Sequence, residues 1–244
     1  MITLSIGITT PFFKPKQTNK KTDMKKYFSI LFLFTVAIIH AQTPILSSPE
    51  QVIREIKEGA LLIVLPTSSK KINAMKKVAN DPKTSAKYKK RLQKLINENT
   101  EAVTRENNAL IEHFNKYYNF SKFYLLPDTL RNTYKEGKRE GIFVGLDGKI
   151  DANIKMNETS YAVFRKGSTA MGSTANDRNN LKAYIIQDES GKLLDKPFPY
   201  YYRINTLKYS LDALISKNTA TYDLIKSIVQ KLDKKLKRYY EEVN

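Results

Sequence analysis

The chain has 244 residues, with 42 lysines and arginines against 24 aspartates and glutamates, two histidines, and neither cysteine nor tryptophan. A hydrophobic share of 41% with well-mixed charge belongs to a folding chain with a sizeable core, not to a disordered tail or a collagenous repeat. The lack of cysteine excludes disulfide scaffolds, thiol nucleophiles, thiolate-held zinc, iron–sulfur clusters and any lipid anchor joined through sulfur.

The first element is a leader. Met24 is followed by Lys25 and Lys26, by an uncharged apolar run from Tyr27 to Ile39, and by His40, Ala41 and Gln42. A basic head, a short apolar stretch and a small residue before the cut are the grammar of a secretory signal peptide, here residues 24–41 with cleavage after Ala41. The run is shorter than the ~20 residues a helix needs to cross a bilayer, so cleavage is expected and no transmembrane anchor should remain. Residues 1–23 read as an upstream extension outside the fold. Losing residues 1–41 removes six lysines and one aspartate, which takes the net charge from +18 to +13. The expected location is the periplasm, the cell envelope or the medium, and a cysteine-free chain is compatible with an oxidising compartment.

Residues 42–244 read as one α/β domain. Ser48, Pro49 and Gln51 supply a hydroxyl cap, a proline at the first helical position and a partner for a capping box; Gly59 ends that helix. Ala60 to Leu65 is continuously apolar between Gly59 and Pro66, which predicts a central strand covered on both faces. Asp81 and Pro82 repeat the cap signature ahead of a long helix whose stripe is Tyr88, Leu92, Leu95, Val103, Leu110, Phe114 and Tyr117. Phe123 to Leu126 is a second strand, stopped by Pro127, with Asp128 placed to cap a short helix. Strand, helical excursion, strand predicts a parallel pair with a right-handed connection.

After Gly141 the pattern turns to short β-prone runs at 142–144, 161–164, 183–186 and 200–204. The turn signals Asp147-Gly148 and Ser190-Gly191 among them predict antiparallel pairing. Gly167-Ser-Thr-Ala170, repeated as Gly172-Ser-Thr-Ala175, is too short for an architectural repeat and reads as a small-residue loop. Tyr222, Ile225, Val229, Leu232, Leu236 and Tyr239 then mark a C-terminal amphipathic helix. The whole predicts a mixed sheet, parallel in its first half and antiparallel in its second, with helices on its faces.

Chemistry is sparse. His113 is the only histidine after the leader, so an imidazole or thiolate metal site has too few ligands, and neither metal nor cofactor is expected. No nucleophile elbow and no phosphate-cradling Gly-rich motif occurs. Ser68 and Lys71 have the Ser-x-x-Lys spacing of some acyl-transfer enzymes, without the companion motifs; the plainer role of Thr67, Ser68 or Ser69 is to cap the next helix. In open α/β sheets, though, ligands bind beyond the carboxyl ends of parallel strands, where helix N-termini offer free N–H groups to anions. That rule singles out Thr67, Ser69, Lys70 and Arg131 as ligand-binding candidates, and Ser68, Lys71 and Asp128 as the weak catalytic ones. Asp147 and Asp188 precede turn glycines and are assigned to turns. Pro197 to Arg203, rich in aromatics, is assigned to sheet core and edge.

The leader ending Ile-Ile-His-Ala-Gln42, with Gly59-Ala-Leu-Leu-Ile-Val-Leu-Pro-Thr67, Phe114-Asn-Lys-Tyr-Tyr-Asn-Phe-Ser-Lys-Phe-Tyr124 and Lys196-Pro-Phe-Pro-Tyr-Tyr, resembles exported proteins of the Bacteroidetes. The resemblance implies an envelope location, and that group brings no established activity or catalytic residue. The expected role is a non-enzymatic binding or interaction protein that meets an envelope partner or a small anionic ligand; export disfavours nucleic acid. Two alternatives are an atypical hydrolase at the ends of strands 60–65 and 123–126, and a basic protein drawn to anionic envelope polymer or membrane surface.

Overall fold

A strand covered on both faces needs an apolar side chain at every position, and β1, Ala60–Leu65, has six in a row, all buried. The computed structural model describes residues 48–169 and 181–244. The leader at 24–41, the extension before it and the second half of the small-residue loop lie outside the described residues.

β1 sits inside a five-stranded sheet of order β2-β1-β5-β6-β7. β2 (Lys122–Pro127) and β5 (Tyr161–Ser168) flank it in parallel, whereas β6 (Lys182–Gln187) and β7 (Tyr201–Arg203) continue the sheet antiparallel. The expected mixed sheet is therefore the observed one. Its two faces take alternate residues of β1: Leu61, Ile63 and Leu65 point into one core, Ala60, Leu62 and Val64 into the other.

The larger core is roofed by helices. α1 (Pro49–Glu58) starts on the Ser48 hydroxyl, which accepts from the Gln51 N–H at 3.2 Å. The Gln51 amide does not close the reciprocal capping box; it donates to Glu55 at 2.8 Å. Two helices, not one, separate β1 from β2: α2 (Ser69–Asn80) and the long α3 (Ala86–Tyr117). Asp81 closes α2 and its carboxylate accepts the Lys83 N–H at 2.8 Å, so the residue that reads as a helix start makes a turn. The α3 cap is Ser85, accepting from Tyr88 N–H at 3.4 Å. Leu92, Leu110 and Phe114 are buried as expected, while Tyr88 and Leu95 are 47% and 37% exposed. The N-terminal part of α3 packs on α2 and gains little cover from it, because α2 has no buried residue of its own.

Beyond β2 the chain makes a 3-10 turn (Asp128–Leu130), the short α4 (Arg131–Lys135) and the hairpin β3 (Phe143–Val144)–β4 (Ile150–Asp151). Tyr134, Phe143 and Met156 from this region cover the second face of the sheet. After β7 come α5 (Thr206–Ile215) and α6 (Lys217–Val243); α6 lies across α3 and α1 and buries Val229, Leu232 and Leu236 completely. Among the described residues no helix is long and apolar enough to cross a membrane.

Candidate anion-binding crevice

Three parallel strands ending on one side of a sheet leave a crevice wherever their connections diverge. Here β1 hands over through Pro66–Ser68 to α2, β2 hands over at Asp128 to α4, and β5 brings Arg165 and Lys166 to the same end. Together they enclose a concavity of about 640 Å³.

Its floor is fastened by one carboxylate. Asp128 accepts the Thr67 N–H at 3.1 Å through Oδ2 and the Thr67 hydroxyl through Oδ1, which ties the β1 loop to the β2 loop. Thr67 Oγ1 in turn accepts the Ser69 N–H at 3.3 Å. The Nδ2 of Asn107, on α3, donates to the Pro66 carbonyl at 3.0 Å and holds the same loop from behind. Ser68 follows in the left-handed region at φ 52°, a conformation that costs a non-glycine residue about 1–3 kcal/mol and that the surrounding bonds must maintain. Ser68 gives α2 no side-chain cap; Thr67 holds the Ser69 N–H, and the next two first-turn amides, of the lining residues Lys70 and Lys71, have no intrahelical acceptor.

The walls are cationic. Lys70 and Lys71 come from α2, Arg131 from α4, Arg165 and Lys166 from β5. Some of this charge is spoken for: Lys71 Nζ donates to Asn99 at 2.7 Å, and Lys166 Nζ meets both oxygens of Glu106 at 2.9 and 2.8 Å. Arg165 uses Nε on the Gln187 side-chain carbonyl at 2.6 Å and Nη1 on the Lys166 carbonyl at 3.2 Å. Among the described residues neither Arg165, Arg131 nor Lys70 forms an ion pair. Burial first, and the charge of Arg131 second, push the pKa of Arg165 down. Two guanidinium groups thus share a cleft whose single lining carboxylate is already engaged.

All seven sequence candidates, from Thr67 to Lys71 with Asp128 and Arg131, come together at this crevice. They are not assembled as a nucleophile and base: among the described residues no hydrogen bond joins Ser68 to Lys71 or to Asp128, and the Lys71 ammonium is turned to Asn99. Arg165 and Lys166 were missing from the candidates. Their signal is the apolar run Tyr161–Phe164 breaking into Arg-Lys at its carboxyl end, legible as a site only once β5 is known to lie beside β1.

The other sequence candidates resolve as structure. His113 is 5% exposed, between the rings of Tyr117 and Tyr222 with centroids 5.6 and 5.5 Å away; burial lowers its pKa. Asp147 and Asp188 accept turn amides, from Lys149 at 3.0 Å and Lys192 at 2.8 Å. Among the described residues no group of acidic or imidazole side chains could hold a metal ion. Of the aromatic segment, Phe198 and Tyr202 are core, while Tyr200 and Tyr201 line a second concavity of about 780 Å³ against α5 and α6, with charges of both signs around it. No family model, curated protein or solved structure matches the chain.

Proposed function

We propose that this is an exported protein of the periplasm or cell envelope that binds a small anionic ligand, without turning it over, in the crevice at the carboxyl ends of β1, β2 and β5. One observation carries the binding reading: Arg131 and Arg165 share the crevice and neither meets a carboxylate among the described residues. Like charges held together in a partly desolvated cleft are unfavourable alone and become favourable when an anion sits between them. The leader grammar of residues 24–41 supports export. The unassembled Ser68–Lys71 pair supports binding over hydrolysis.

The test is calorimetric titration of the mature chain with inorganic phosphate, at low salt and again at about 0.15 M, where the Debye length is ~8 Å. Saturable one-to-one binding that survives the higher salt and is weakened about 10- to 100-fold in Arg131→Gln supports the reading. Binding that collapses with salt and ignores the substitution points instead to the general basic surface, net +13 after leader removal, and to an anionic polymer or membrane as its partner. Turnover of a small-substrate hydrolase panel that depends on Ser68 would overturn the non-enzymatic reading.

A further inference from the structure

The crevice walls divide by chemistry. The charged part is Lys70, Lys71, Arg131, Arg165 and Lys166 with the one carboxylate of Asp128; the remainder offers hydroxyls and an amide from Ser68, Ser69, Thr129 and Asn132. Only Val64 and Pro66 are apolar there, and no aromatic ring is among the described lining residues. An apolar or aromatic ligand body seated on such walls would strip polar groups of water and return no hydrogen bonds. The volume, about 640 Å³, falls in the range of small organic ligands, and one tetrahedral oxyanion would leave most of it empty.

We infer that the crevice recognises a phosphorylated sugar or polyol, its phosphoryl group between Arg131 and Arg165 and its hydroxylated body against Ser68, Ser69, Thr129 and Asn132. This rests on the anion-binding reading and adds a ligand class to it. Lys70, Lys71, Arg131 and Arg165 form no ion pair among the described residues and face one lining carboxylate, Asp128, so the crevice calls for more than one negative charge; a phosphate monoester carries roughly −1.5 to −2 near neutral pH and a carboxylate only one. The Arg131 fork matches two tetrahedral oxygens in a bidentate pair, Arg165, with Nε and Nη1 engaged, offers Nη2, and the Lys70 and Lys71 amides of the α2 first turn add N–H donors. A nucleotide fits less well, because its base needs a ring or an apolar plane to stack on. Such planes exist in this chain at Tyr200 and Tyr201, in the other concavity, not in this one.

The experiment compares four probes by calorimetry at one ionic strength: inorganic phosphate, glucose 6-phosphate, glucuronate and adenosine monophosphate. Glucose 6-phosphate should bind at least about tenfold more tightly than each of the others, a margin of ~1.4 kcal/mol. Asn132→Ala should weaken glucose 6-phosphate and leave inorganic phosphate unchanged, whereas Arg131→Gln should weaken both. Lys70 is exposed on the first turn of α2, so Lys70→Gln carries the same test should Arg131→Gln misfold. Phosphate bound as tightly as the sugar phosphate would overturn this inference and leave the anion reading standing. Adenosine monophosphate or glucuronate bound as tightly as the sugar phosphate would also overturn it. No binding of phosphate or of any phosphorylated probe would overturn both.

Discussion

Arg131→Gln should change the sign of its effect with the solvent anion. In chloride the substitution removes a positive charge that crowds the half-buried Arg165. Relief of a repulsion between partly exposed groups is worth about 0.2–1 kcal/mol, so the variant should be slightly more stable than the parent. For a domain of this size that is a rise of roughly 0.5–4 °C in melting temperature. In saturating phosphate the variant forfeits one charge-assisted hydrogen bond, worth about 1.5–3 kcal/mol, and its affinity should fall about 10- to 100-fold. The stability order therefore crosses: variant above parent in chloride, parent above variant in phosphate. Thermal melts at matched ionic strength in the two salts read this directly, and the comparison cancels general screening. A variant less stable than the parent in chloride, or one that gains as much from phosphate as the parent does, would refute the reasoning.

Three further expectations concern the packing and hydrogen bonds of the fold. Tyr184 is buried and donates to Glu106 at 2.5 Å, so Glu106→Ala strands the hydroxyl and should cost about 1–3 kcal/mol in denaturant unfolding, more than Tyr184→Phe at about 1. The reverse order would contradict the network. His113 has its folded pKa pushed below the ordinary 6.5, mainly by burial. Its stabilising effect is present above the unfolded value and lost as pH falls below about 6.5, and His113→Phe should flatten that loss of stability between about pH 7 and 5. An unchanged slope would place the titration elsewhere. A Cβ on Gly59 would lie 2.1 Å from the Ser160 carbonyl and 2.6 Å from that of Glu55. Both are backbone atoms, so Gly59→Ala should cost about 1–3 kcal/mol, and a neutral result would mean that the α1–β1 junction is looser than drawn.

Much of the fold is legible in the chain because the relevant signals are local. Six apolar residues between Gly59 and Pro66 match the length and cover of an inner strand, and Asp147-Gly148 turns the β3–β4 hairpin with Gly148 at φ 80°. The boundary between α2 and α3 is hidden because Asp81-Pro82 mimics a helix start and because α2, with no buried residue, writes only a weak stripe. His113 reads as a shoulder position on its own helix; it is Tyr222, far along the chain on α6, that covers it. The crevice shows the same division. Thr67 to Lys71 and Asp128 to Arg131 follow from where parallel strands must end, a rule of topology. Arg165 and Lys166 depend on the pairing of β5 with β1, separated by about a hundred residues, which no local pattern encodes.

The most direct measurement is a phosphate titration followed by NMR on the mature chain, watching the amides of Lys70, Lys71 and Thr129 and the Nε–H of Arg165. Saturating shifts confined to these groups and their neighbours are the predicted result. Shifts that grow without saturating, and that are as large along the lysines of α6 as in the crevice, would contradict a built anion site.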